Sequence, residues 1–229
     1  MLLVGITGGP GSGKSTVSAL FRELGAHVLA SDDVARQLMK PGNDVFKAIV
    51  QAFGAGVIAQ DGTLNRSALG KLAFAGGRLH QLEEIIHPAV LAHERSWAQG
   101  IAEHHPDAIA MVETAIMFER LLPPGTPRSN PDPEIMQQIA AVLRKRFDRI
   151  LLVTASEEVK QHRFAQRLLQ TNPVLTPQDA ADDALRRLAL QIPDSIKQPF
   201  CDAAIPNDAD IASLTKSVQA TWNSLQQQS

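Results

Sequence analysis

Gly8-Gly9-Pro10-Gly11-Ser12-Gly13-Lys14-Ser15-Thr16, close to the N-terminus, has the residue types and spacing of G-x-x-x-x-G-K-[ST]. An apolar run precedes it and a helical period follows, the context in which this pattern folds round a polyphosphate. Each position has a chemical reason. Glycines let the backbone take positive φ and turn successive N–H groups inward. The helix behind them offers its positive end to the anion. Gly11, Ser12, Gly13, Lys14, Ser15 and Thr16 are therefore read as the nucleotide-binding residues. Lys14 sets an ammonium against the β and γ phosphates, and Ser15 offers its hydroxyl to Mg2+. ATP and Mg2+ are the cofactors this predicts. What accepts the phosphate is a separate question.

A second group able to do chemistry is Ser31-Asp32-Asp33, directly after the second apolar run. Open α/β sheets collect ligands at strand carboxyl ends near a topological switch, so a carboxylate here faces the phosphate loop. Asp32 is read as the catalytic base, taking the proton of an attacking hydroxyl and aiming that oxygen in line with the γ-phosphate. Capping of the following helix is assigned to Ser31 or Asp33. Glu113, after the third run, is read as an ordinary strand-end carboxylate, with a place behind the magnesium as the alternative. No N-K-x-D motif supports guanine, and the residues before Glu113 only faintly echo the h-h-h-h-D-E of motor ATPases. The seven histidines show no H-E-x-x-H spacing, which argues against a zinc hydrolase.

These side chains need a scaffold, and the apolar pattern supplies one. Short runs rich in Val, Ile and Leu (Leu2–Thr7, His27–Ala30, Ala108–Val112, Ile150–Thr154 and Ala203–Ile205) alternate with stretches of helical period. Strands that are apolar throughout are buried on both faces, so the pattern predicts an α/β three-layer fold with a five-stranded parallel sheet. Residues 1–33 and 106–229 form the predicted nucleotide-binding core, and 34–105 an inserted helical lobe for the acceptor. Within that lobe Leu79, Leu82, Ile86, Val90 and Trp97 mark one face of a long helix that Pro88 should bend. At the C-terminus Ile211, Leu214, Val218, Trp222 and Leu225 mark another. Leu122–Glu134 holds five prolines and reads as an exposed loop. With the helix behind it (to about residue 147) it is an insert without assigned function. Arg144-Lys145-Arg146 reads as a solvated helix end.

Composition narrows the classes. With 229 residues, 44% of them apolar and 20% charged, a large core is affordable and disorder is excluded. A net charge of −2 argues against a general nucleic-acid binder. Cys201 is the one cysteine, which excludes an internal disulfide and suits a reducing compartment. No apolar run approaches the roughly 18–20 residues that cross a bilayer. MLLVGIT lacks the basic start and cleavage site of a signal peptide. A cytoplasmic protein is expected, monomeric or weakly homo-oligomeric, with no nucleic-acid or membrane partner.

On these residues the chain resembles the dephospho-coenzyme A kinase family of P-loop kinases. I-T-G-G-P-G-S-G-K-S-T-V is close to the family's opening, and V-L-A-S-D-D-V-A-R-Q-L is similar to its D-A-D-x-x-A-R segment. Asp61-Gly62-Thr63-Leu64-Asn65-Arg66, followed by Leu69 and Phe74, resembles D-G-x-L-x-R. Leu82 through His87-Pro88 resembles L-x-x-I-x-H-P, and Cys201 through Asp208 resembles A-D-x-x-I-x-N-x-G. The resemblance implies ATP-dependent phosphorylation of the ribose 3′-hydroxyl of dephospho-CoA, the last step of coenzyme A synthesis. It places Asp32 on the second aspartate of D-A-D, the proposed base, while Ala30 stands where the first would be. It makes Thr7, Asp32, His87 and Arg163 acceptor-binding residues, His87 having helix packing as its alternative. It implies a helical lid at about 163–191, with Arg167 on the transferring phosphates and Gln191 ending R-x-x-x-Q. Asn207 would lie near the adenine. Thr114–Glu119 departs from the family, which has a proline at the second of these positions. Two other readings stay open at this stage: a kinase of another small hydroxyl metabolite, and a nucleotide-binding regulator without catalysis.

Overall fold

The computed structural model describes residues 1–172 and 174–227, with the side chains of all of these except 74 and 75. Phe74, one of the residues that carry the resemblance, is among those two side chains. Two compact units emerge: Met1–Val28 with His104–Ser229, and Leu29–Glu103. The sequence boundary at 33/34 falls inside a helix, Ser31–Leu38, which is why the division shifts to the strand before it.

In the first unit β1 (Leu2–Thr7) leads through the glycine loop into α1 (Lys14–Glu23), and β2 (His27–Ala30) follows, its last two residues counting with the second unit. The second unit carries α2 (Ser31–Leu38), α3 (Asp44–Phe53), α4 (Arg66–Gly70), a π turn (Lys71–Ala75) and α5 (Leu79–His104). The chain returns through β3 (Ile109–Glu113), α6 (Pro133–Arg144), β4 (Arg149–Thr154), α7 (Glu157–Thr171), α8 (Pro177–Leu188), α9 (Asp194–Lys197), β5 (Ala203–Pro206) and α10 (Ile211–Gln226). The sheet order is β2-β3-β1-β4-β5. β1 pairs in parallel with both β3 and β4, and β4 with β5. The chain therefore winds one way from β1 and then the other, which makes the carboxyl end of β1 the switch point.

Alternation of side chains divides the core. Val4, Ile6, Ile109, Met111, Leu151 and Val153 pack with Val17 and Phe21 of α1 and Leu214, Val218 and Trp222 of α10. Ile211 is exposed, so the apolar face of α10 begins one turn later than its sequence pattern suggests. On the other face Gly5 has no room for a side chain: a Cβ would stand 2.6 Å from Met117 Cε and 3.3 Å from Phe147. α6 buries Met136, Ile139 and Leu143. The helical part of the expected insert thus packs on the core, while its proline-rich loop ends at Asp132, which caps α6 by accepting from Glu134 N at 2.7 Å. The basic triplet is not merely solvated either. Arg144 Nη1 meets Asp202 Oδ2 at 2.5 Å, and Arg146 lies over the Phe147 ring.

In the second unit Val45, Ile49, Phe53, Val57 and Leu69 form a separate core, against which Leu82, Ile85, Ile86 and Ala89 of α5 pack. α5 remains one helix through Pro88. The D-G-x-L-x-R segment is a structural turn. Asp61 accepts from the Thr63 amide at 2.9 Å and its hydroxyl at 2.7 Å, and Asn65 caps α4 through the Ala68 amide. Among the described residues no helix is long and apolar enough to cross a membrane.

Candidate active site

The loop after β1 is held from behind. Gly13 takes φ +90°, and a Cβ there would stand 2.0 Å from Asn207 Nδ2. Gly11 takes φ +80°, with a Cβ 2.2 Å from the Lys160 carbonyl oxygen. A side chain at either position meets both left-handed backbone strain and a hard neighbour. Asn207 is buried beyond β5, and its Nδ2 donates to Ser12 O at 2.8 Å. Its own carbonyl accepts from Arg163 Nη1 at 2.8 Å, and its amide donates to Thr154 O. The structure thus brings together Gly11, Ser12, Gly13, Asn207 and Arg163. Asn207 stands just past the end of β5, where the resemblance expects it, and its amide nitrogen braces the loop backbone.

α1 starts at Lys14 with Gly13 as N-cap and no side-chain cap, so its positive end is presented by backbone alone. Lys14 Nζ donates to Gly9 O at 3.2 Å. Ser15 and Thr16 are exposed in the first turn. Thr7 is fully buried at the end of β1, and no described residue reaches its hydroxyl. Burial pushes the Cys201 thiol up to about 12, and its Sγ donates to Lys197 O at 3.4 Å.

α7 and α8 form the helical hairpin expected at 163–191. Thr176 and Asp179 cap α8 reciprocally, with Pro177 in its first turn. Arg163 turns toward the loop. Arg167 is exposed one turn further along α7, its guanidinium 4.8 Å from the Phe164 ring, which Arg187 approaches at 5.8 Å. Arg186 and Arg187 pair with Asp183.

Sequence reading passed over a buried ionic chain at the root of this hairpin. Lys160 Nζ stands 2.5 Å from Asp194 and 2.9 Å from Glu157. Burial acts to lower its pKa, but these carboxylates outweigh that and hold it above the ordinary lysine value. Lys197, wholly buried, reaches Glu119 at 3.4 Å and Asp194 at 3.5 Å, and Glu119 also accepts from Ile192 N at 3.0 Å. The i, i+3 spacings of Glu157 with Lys160 and of Asp194 with Lys197 were its sequence signals.

In the second unit Asp32 is exposed in the first turn of α2. The capping assignment to Ser31 or Asp33 is overturned. Ala30 is the N-cap and supplies no side-chain bond, Ser31 donates to buried Glu94 of α5, and Asp33 pairs with Arg36. His87 is half-buried on α5.

A parallel sheet in this order, opening at its central strand into a braced phosphate loop and followed by a two-helix hairpin, defines a P-loop kinase. A sequence profile described as dephospho-CoA kinase matches residues 2–124. The chain belongs to the dephospho-CoA kinase family. It is 31% identical over 226 residues to the dephospho-CoA kinase of Leifsonia xyli subsp. xyli, covering 98% of this chain and 99% of that one. It is 33% identical over 211 residues to that of Halalkalibacterium halodurans, covering 92% and 90%. The dephospho-CoA kinase structure from Campylobacter jejuni superposes with a TM-score of 0.62 at 16% identity, covering 98% of this chain and 97% of that one, and so shares the fold.

Proposed function

We propose that this kinase moves the terminal phosphate of ATP to the ribose 3′-hydroxyl of dephospho-CoA, giving coenzyme A and ADP. The observation that carries this reading is the phosphate loop braced by Asn207 and Lys160, in a chain that aligns almost end to end with dephospho-CoA kinases. Lys14 leaves the Gly9 carbonyl to meet the β and γ phosphates, and the backbone amides of the loop cradle them. Mg2+ keeps most of its waters and takes substrate phosphates, so the single exposed hydroxyl of Ser15 is a sufficient protein ligand. Held there by Ser15, the ion would supply positive charge to offset that of the phosphates.

Asp32 accepts the proton of the 3′-hydroxyl and aims its oxygen at phosphorus. The exposed position in the first turn of α2, without an ion pair among the described residues, suits a carboxylate that must meet substrate. Arg163 and Arg167 steady the charge spread over the transferring group. Thr7 and His87 contact the acceptor. Most of the acceleration comes from positioning and fixed electrostatics, since phosphoryl transfer asks for little covalent help. We place the enzyme in the cytoplasm, as a monomer or weak homo-oligomer.

A coupled assay of ADP release, run with a panel of hydroxyl-bearing metabolites, tests the assignment. Dephospho-CoA should exceed every other acceptor by orders of magnitude. A sugar acid or nucleoside that matches it would overturn the reading.

A further inference from the structure

A cavity of about 830 Å3 opens beside the phosphate loop, lined entirely by residues of the first unit. Its inner end is Gly9, the residue whose carbonyl holds Lys14 Nζ. Its walls are residues 154–161, at the root of α7, and residues between Leu185 and Gln198, where α8 runs into α9. Its rim is Ser129 of the proline-rich loop. That loop is fastened to the wall, since Arg128 Nη1 donates to Leu190 O at 2.9 Å.

Charge decides what can enter. Among the lining residues the one cation is Lys160, which Asp194 and Glu157 already hold, and Glu158 adds a third carboxylate. Three acidic groups against one basic group repel a phosphate. The remaining wall is neutral: Leu188 and Ile192 are apolar, and Ser156, Gln161 and Gln191 offer hydroxyl and amide groups. The Gln191 amide oxygen is shut off from solvent and receives no hydrogen bond from the described residues. Such a mixture of apolar wall and neutral polar groups suits an uncharged chain that carries amide N–H groups and hydroxyls.

We propose that this cavity receives the uncharged, amide-bearing thiol arm of the acceptor and so reads the part of dephospho-CoA that a bare adenosine diphosphate lacks. The inference rests on the acceptor assigned above. It gives Gln191 and the proline-rich loop a part in substrate choice: Gln191 is a hydrogen-bonding wall residue, and Ser129 sits at the mouth.

The test compares two acceptors under saturating ATP. One is dephospho-CoA. The other is the β-methyl ester of adenosine 5′-diphosphate, which keeps the 3′-hydroxyl and both phosphates and lacks the arm. Gln191→Leu removes the amide, and Ser129→Trp, on an exposed loop, blocks the mouth without touching the core. Each should raise KM for dephospho-CoA about tenfold, the loss expected of one buried hydrogen bond or one excluded segment. Each should leave kcat/KM for the methyl ester and KM for ATP within about twofold of the unaltered chain. Parallel changes for both acceptors, or no change for either, would overturn the proposal, the second result meaning that the cavity holds only water. Should the unaltered chain fail to phosphorylate dephospho-CoA at all, it is the acceptor assignment that falls.

Discussion

At the scale of single residues, two aspartate positions of the family segment separate into different jobs. Asp32 is exposed and takes no part in capping, while position 30 is the N-cap of α2 and holds alanine. Replacing Asp32 by Asn keeps the shape and removes the base. Turnover should fall roughly 10²–10⁴-fold while KM for ATP stays put, as initial-rate kinetics at varied ATP would show. Near-normal turnover would remove Asp32 from the mechanism. An aspartate at position 30 has a structural use that the geometry makes plain. Its extended φ of −95° and ψ of 117° suit a capping side chain. Ala30→Asp should therefore stabilise the protein by about 1 kcal/mol, read as a higher urea midpoint with an unchanged slope. The phosphate loop was legible from its residue types, because few other demands ask for so many glycines before a Lys-Ser pair. The role of Asn207 was not, because its partner Ser12 is 195 residues away in sequence.

At the scale of elements, the strands were readable to within a residue or so because β1, β3 and β4 are buried on both faces and so are apolar throughout. α6 shows the limit of such reading. Its buried positions Met136, Ile139 and Leu143 carry a helical spacing, which gives the helix but not the surface it packs on. The glycine loop makes a sharper demand on its elements. It is pressed on one side by the main chain of α7 at Lys160 and on the other by Asn207. Gly13→Ala would add left-handed strain of about 1–2 kcal/mol and force the Asn207 amide away from Ser12. We expect ATP affinity, followed by titration calorimetry, to drop at least about tenfold, with the thermal midpoint lowered by roughly 2–8 °C. Retained affinity would show that the loop can shift off its brace.

At the scale of the whole molecule, the first unit is tied together by charges that a sequence invites one to place in solvent. Buried Lys197, Glu119 and Lys160, with half-buried Asp194 between them, join the segment after β3, the return from α8, and the root of α7. Two of the contacts, Lys160 with Asp194 and Lys197 with Glu119, join distant segments, so the i, i+3 pairs alone do not announce the chain. Glu94, buried in the second unit with Ser31, escaped the reading for the same reason. Lys197→Met leaves Glu119 buried without its cation. That should cost about 3–5 kcal/mol, or roughly 6–20 °C in the unfolding midpoint of a chain this long, measured by calorimetry. A shift of a degree or less would mean that the pair contributes nothing. The central claim concerns where one phosphate goes. Incubating the purified chain with Mg·ATP and dephospho-CoA, then locating the new phosphate by phosphorus NMR, should show a single product esterified at the ribose 3′-oxygen. ATP bound without transfer, or a phosphate on any other oxygen, would contradict the account.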